Sequence, residues 1–306
     1  MPTTRADIPK HLTYGLRTIF FNEFNKADLT GWDQIVTEIG STSDKETYGW
    51  LGSTPSMREW IDERMPKAIR ENSFTISNKK FEASMSVSRE ALEDDQYGQI
   101  KIRVQQLAES ARNYYAERTF AVLVGGTGST YGLCYDGQYF FDNDHSEGNS
   151  GTQDNLGSSA LTSASLTATR TAMARMKDDQ GKVMGIVGDT IIVPPELEAT
   201  ALELTGADTV ERYTASGTDA VPTMNIHKGR YKVIVTPTIT DADSWYMACT
   251  NRVTKPLIFQ NRMPTDFVAL EDSSDAGFMR DEYVYGVRNR FNIGYGDWRL
   301  AYANIP

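Results

Sequence analysis

Residues 97–126, YGQIKIRVQQLAESARNYYAERTFAVLVGG, constrain this chain more than any other stretch. No proline or glycine interrupts Gln99 to Val124. Ile100, Val104, Leu107, Ala111, Tyr114 and Val122 recur at helical spacing, and Ala108, Tyr115 and Ala121 widen the stripe. Lys101, Arg103, Gln105, Gln106, Glu109 and Arg112 fall mostly on the other faces. Gly125 and Gly126 read as the stop, because glycine reaches the left-handed dihedrals that a helix exit often uses. At ~1.5 Å per residue the helix would be roughly 40 Å long, as long as a domain is wide. The segments around it read as strands and loops, so the chain is expected to be α+β and built on this spine.

The flanking chain divides by pattern. Residues 1–45 carry Leu16, Ile19, Phe20 and Phe24 at helical spacing, then Trp32, Ile35 and Ile39. Such an apolar arm can fold on its own core or pack on a neighbouring subunit, and both arrangements stay open. In 46–90, Tyr48, Trp50, Leu51, Met57 and Trp60 sit among glycines and a proline. Two alternating stretches follow, Ser73–Ile76 and Phe81–Val87, with Asn78-Lys79-Lys80 as a turn between them. This reads as a two-stranded extension with a charged middle, RMPKAIREN, too short to stand alone in water. It is expected to protrude and pack mostly on another subunit; the competing reading is a subdomain packed on its own chain. Ser88 caps a short helix that leads into the spine.

After the spine, residues 125–160 are dense in Gly, Ser, Asn and Asp and read as a long surface loop anchored by Tyr139, Phe140 and Phe141. A helix opens at Ser165, carries Met173 and Met176 and ends near Lys177–Gly181. Thr190–Val193 is a buried-type strand ended by Pro194-Pro195, and Glu196–Thr205 is a second helix. Residues 206–223 read as an exposed loop. Strands are expected at Tyr231–Val235, Trp245–Ala248, Pro256–Gln260, Phe267–Leu270, Asp281–Ile293 and Trp298–Ile305. In the long one, Tyr283, Tyr285, Val287, Asn289 and Phe291 share a face, and the spine's apolar face is expected to lie on it.

Candidate chemistry is sparse. GGTGST at 125–130 lacks the following Lys-Ser or Lys-Thr of a phosphate loop, and a helix precedes it where a strand is required. Asp142, Asp144, His145 and Glu147 are oxygen-rich, but they lack the glycine and terminal glutamate of an EF-hand loop and read as solvated. His11, His145 and His227 have no ligand spacing. No Gly-x-Ser-x-Gly elbow occurs. The reading is therefore no catalytic residue, no metal, no cofactor and no enzyme, with a hydrolase using the acidic loop as the rival from another class. The net charge of −10 argues against a chain that grips DNA or RNA by its phosphates. Cys134 and Cys249, the two cysteines, read as small apolar residues in a reducing compartment. No apolar run approaches the ~20 residues of a membrane span.

Four blocks, in order, resemble the Mu-like bacteriophage major head (major capsid) protein family. They are Gly137-Gln138-Tyr139-Phe140-Phe141-Asp142 with His145; LTATRTAMARMKDDQG at 166–181 with IIVPPELEATALEL at 191–204; Trp245-Tyr246 with Lys255–Gln260; and Tyr285–Trp298. The last is the most specific, and the blocks span most of residues 10–303. The resemblance implies the Hong Kong-97-type capsid fold. Residues 1–45 would be its N-terminal arm and 46–90 its extended loop. Residues 91–126 and 261–297 would be the peripheral domain with the spine, and 127–260 and 298–306 the axial domain. It implies a major capsid protein of a tailed phage or prophage that assembles into pentamers and hexamers of an icosahedral head around double-stranded DNA, without sequence-specific contacts. Scaffold, portal and decoration proteins would be partners, and no membrane. The chain would reside in the virion after assembly in the bacterial host cytoplasm. Phe20, Phe24, Trp50, Trp60, Phe74 and Phe81 are the candidates for contact between subunits. Met1 without a long helical leader suggests that no large scaffold is fused. The lysine–asparagine crosslink of some relatives has no matching motif here. An encapsulin-like compartment shell and another virion structural protein are the alternatives.

Overall fold

A computed structural model of the chain describes residues 8–26, 28, 30–49, 74–88, 90, 97–213, 220–270 and 282–306. The expected spine is a helix over Tyr97–Val124. Its first half packs Ile100, Val104 and Ala108 against Val87, Phe267, Tyr283, Tyr285 and Val287. Its last turns place Ala116, Phe120, Val122 and Leu123 in a second, larger core. One rigid element thus ties two cores together.

The first core lies on a four-stranded sheet in the order β1 (Val36–Gly40), β13 (Leu257–Leu270), β14 (Glu282–Tyr295), β4 (Lys79–Ser88). β1 runs parallel to β13, and the other pairs are antiparallel. Along β14, residues 283, 285, 287, 289 and 291 are all buried, the period-2 pattern of a strand with one covered face. The spine covers that face, as its stripe requires. The arm helix Ile8–Phe24 closes the other side of this core with Leu16 and Phe20, both fully buried. Burying each of these side chains contributes about 1.5–3 kcal/mol.

The second sheet has the order β11 (Lys232–Val235), β8 (Thr190–Val193), β12 (Trp245–Ala248), β15 (Ala301–Asn304), β7 (Leu156–Gly157). Every residue of β8, β12 and β15 is buried, so these strands read as continuous apolar runs rather than alternations. Helix Ser163–Ala174 supplies Leu166 and Met173 to this core, and helix Glu198–Gly206 supplies Ala201. Thr162 and Ser165 form a reciprocal capping box that starts the first of these helices. That helix stops at Ala174, short of the expected Lys177–Gly181.

Several expectations are corrected. β3 (Phe74–Ser77) and β4 are not a hairpin: β3 pairs with β2 (Lys45–Tyr48) and β4 with β14, so Asn78 is a step between two ladders and not a turn. The stretches 256–260 and 267–270 are one strand, irregular between Asn261 and Asp266, where Pro264 has no amide to donate. Residues 206–223 are not an open loop: Thr209–Tyr213 and Ala220–Met224 form an antiparallel ladder, β9–β10. Glycine does not end the spine by a left-handed exit. Gly125–Thr127 tightens into a 3-10 turn, and both glycines are needed for space: a Cβ on Gly125 would lie 2.6 Å from the Tyr131 ring, and one on Gly126 2.7 Å from that of Phe141. Of the short helix expected after Ser88, Glu90 alone lies within the described residues.

Candidate functional site

Residues 50–73 of the expected extended loop lie outside the described residues, but the strands that flank them are paired. Tyr48 lies opposite Phe74 and Lys45 opposite Ser77 in the β2–β3 ladder. This root is fastened to the long strands beneath it. Tyr48 Oη donates to Gln260 Oε1 at 2.8 Å, and Gln260 Nε2 donates to Ile76 O at 3.2 Å and Asn78 Oδ1 at 2.8 Å. Asn292 Nδ2 donates to Ser77 O at 2.8 Å. Gly294 has no Cβ where one would overlap Ile76, so β3 sits directly on β14. The turn 41–46 is held by the Glu46 carboxylate, which accepts from Thr42 N, Ser43 N and Ser41 Oγ; those bonds hold its pKa below the usual range. Burial, with Glu46 nearby, pushes the Tyr48 phenol up to about 12, so it remains a donor at any physiological pH.

The candidate contact residues divide. Trp50 and Trp60 lie outside the described residues. Phe20 is corrected: it is fully buried in its own subunit, 5.2 Å from the Phe267 ring and 5.7 Å from Phe24, and leaves no surface for a neighbour. Phe24 is half-buried near Tyr115. Phe74 is half-buried beside Tyr48, Ile76 and Ile258 at the root. Phe81, also half-buried, packs on Tyr114 and Phe291 and lines an open groove of about 340 Å³ between β4 and the spine.

The 125–160 segment is also more than a solvated loop. Asp144 is exposed and Asp142 half-buried, but His145 and Glu147 turn inward. His145 stacks on Trp298 at 3.9 Å, and its Nδ1 lies 2.6 Å from Asp136 Oδ2. Glu147 accepts from Tyr135 Oη at 3.2 Å and lies 3.6 Å from Arg299 Nη1. Arg299 is gripped from the other side by Asp297, through Nε–Oδ1 at 2.8 Å and Nη2–Oδ2 at 2.9 Å. Asn155 staples the same region, its amide donating to the carbonyls of Phe140, Trp298 and Ala301 while Oδ1 accepts from Asp142 N. Burial pushes Glu147 up to about 7, with Arg299 opposing. Burial works against the charge of Arg299, but Asp297, Tyr135 and Glu147 outweigh it and hold its pKa above the ordinary value. The arrangement joins the segment to the C-terminal turn. Asp144 points away from the two inward-turned residues, and among the described residues no group of three or more His, Cys, Asp or Glu could hold a metal ion. Cys134 and Cys249 are buried, and burial raises both thiols. No helix among the described residues is long and apolar enough to cross a membrane. Sequence reasoning missed Asn155, Asp297 and Arg299; the Asp297-Trp298-Arg299 triplet at the start of the last apolar strand was the available signal.

A long spine joining two cores, an arm folded on one of them and a two-stranded ladder seated on the long strands make this a capsid subunit of the Hong Kong-97 type. The likeness to solved shells agrees: the subunit of the bacteriophage JBD30 procapsid aligns with TM-score 0.60 and 28% identity, covering 99% of this chain and 76% of that one. The virus-like particle of Pyrococcus furiosus shares the fold alone, with TM-score 0.51, 13% identity and coverage of 94% and 97%. The chain belongs to the Mu-like prophage major head subunit gpT family, whose profile matches residues 10–160, 155–239 and 238–305. It is 28% identical over 304 residues to the Mu-like prophage FluMu major head subunit of Haemophilus influenzae, covering 99% of this chain and 75% of that protein. To the major capsid protein of Escherichia phage Mu it is 26% identical over 273 residues, 89% of this chain and 65% of that one.

Proposed function

We propose that copies of this chain assemble as pentamers and hexamers into the icosahedral head of a Mu-like phage or prophage. The observation that carries this reading is the root at β2–β3: a ladder fixed to β13 and β14 by buried hydrogen bonds, from which residues 50–73 depart and to which they return. Those residues include Trp50, Leu51, Met57 and Trp60, too few apolar groups for a core of their own. On this reading they pack on a neighbouring copy, with Phe24, Phe74 and Phe81 at the edges of the contact. On this reading the arm is 1–45, the extended loop 46–90, the peripheral domain 91–126 with 261–297, and the axial domain 127–260 with 298–306, while strands β13 and β4 carry Leu257–Gln260 and Lys79–Ser88 into the first sheet as well. The head would enclose double-stranded DNA without sequence-specific contacts. The net charge of −10 fits, since a shell that bound phosphates would hinder the passage of DNA. Scaffold, portal and decoration proteins would be the other partners, the role is structural and not enzymatic, and assembly would take place in the host cytoplasm.

The test is to replace residues 50–73 with a short Gly-Ser linker, leaving β2 and β3 intact. The expected product is soluble, melts cooperatively and forms no shells. A variant that unfolds would place the segment in its own subunit's core, and one that assembles normally would remove the segment from the contact.

A further inference from the structure

We infer that Glu147 is a proton-operated joint between the 133–155 segment and the C-terminal turn Trp298–Leu300, fastening the two when protonated and loosening them when ionised. Asp297 already balances the Arg299 charge, with both carboxylate oxygens on the guanidinium and Oδ1 also accepting from the Arg299 amide at 3.1 Å. Glu147 is therefore a second carboxylate for one cation. It sits 3.6 Å from Nη1, and Nη1 is buried without a hydrogen bond. Both side chains are out of water, at 2% exposure for Arg299 and 6% for Glu147. The charged and titratable groups facing Glu147 are Arg299 and Asp297 from the turn after β14, Tyr135 from its own segment and Asp179 from the loop after helix Ser163–Ala174. Asp136 and His145 lie alongside, through the stack on Trp298. One guanidinium thus faces two carboxylates, Asp297 and Glu147, with Asp179 also bearing on Glu147, so ionising Glu147 adds a second negative charge that the already paired Arg299 offsets only in part. Tyr135 Oη donates to this carboxyl group and, like Arg299, favours its ionised form, against burial and the neighbouring Asp297 and Asp179 carboxylates.

Burial pushes the Glu147 carboxyl up to about 7 from 4.5, with Arg299 pulling it down only in part. Between those values the folded chain keeps a proton that the unfolded chain releases. The contribution to stability is therefore complete below the ordinary glutamate range, declines as pH rises through this window, and is flat above it.

The test is thermal unfolding of the full chain and of Glu147→Gln from pH 5 to 8.5. The glutamine mimics the protonated acid, so the two are expected to melt together at pH 5 and the variant several degrees higher at pH 8.5. A gap that stays constant with pH, or none at pH 8.5, overturns the inference. Should the variant not fold, amide hydrogen exchange of the unmodified chain decides. Ser150 and Arg299 amides are expected to lose protection relative to the spine between pH 5.5 and 8.5, after correction for intrinsic rates, and unchanged relative protection overturns it.

Discussion

The Tyr48 hydroxyl donates a 2.8 Å hydrogen bond to Gln260 Oε1, joining residues 212 positions apart in sequence. Through it the β2–β3 ladder is fixed to β13, one of the two 14-residue strands of the first sheet. Gln260 is fully buried and its amide also serves Ile76 O and Asn78 Oδ1. Gln260→Leu keeps the volume and removes the acceptor of the Tyr48 hydroxyl bond and the donors to the Ile76 carbonyl and Asn78 Oδ1. A loss of about 1–3 kcal/mol is expected, the cost of buried polar groups without partners, read by urea unfolding.

The arm helix belongs to its own subunit. Phe20 is fully buried against Phe267 and Phe24. Phe20→Ala should therefore destabilise the isolated subunit by about 3–5 kcal/mol. If the arm were instead held by a neighbour, the subunit's melting temperature would not change and only assembly would suffer.

The packing face of the spine runs through Val104, which is fully buried with Leu16, Phe20 and Tyr285 in the same core. Val104→Asp places an unpaired charge there and should cost about 4 kcal/mol or more, seen as loss of soluble subunit. Arg103, one residue away and exposed, provides the control: Arg103→Asp should stay within about 0.5 kcal/mol of the parent in chemical denaturation.

Gly126 is needed for close approach. An added Cβ would lie 2.7 Å from the Phe141 ring and 3.3 Å from that of Phe140. Gly126→Ala is expected to lower stability by about 1–3 kcal/mol through overpacking, despite alanine's better helix propensity. Calorimetry would contradict this if the melting temperature rose.

What the sequence displays follows from periodicity. The spine, the arm helix and the alternation of Tyr283 to Phe291 all have one covered face, and that face repeats at 3.6 or 2 residues. The partners of strands are not legible in this way. Phe74–Ser77 and Lys79–Ser88 are adjacent in sequence and alternate alike, yet they pair with strands near residues 45 and 285, because the register is set by long-range contacts. The β9–β10 ladder escaped because its strands are short and their apolar residues do not alternate cleanly, with Glu211, Arg212 and Pro222 interrupting them. In the acidic segment, composition alone favoured solvent. Glu147 and His145 are drawn inward by Arg299 and Trp298, residues about 150 positions downstream that no local window contains.

The role of this chain as a shell subunit is visible in what it assembles into. Electron microscopy of the purified chain at physiological pH and salt tests it most directly. Closed hollow particles of uniform diameter are the predicted result. A chain that is fully folded by circular dichroism and melts cooperatively, yet stays monomeric or stops at small open oligomers, would contradict it.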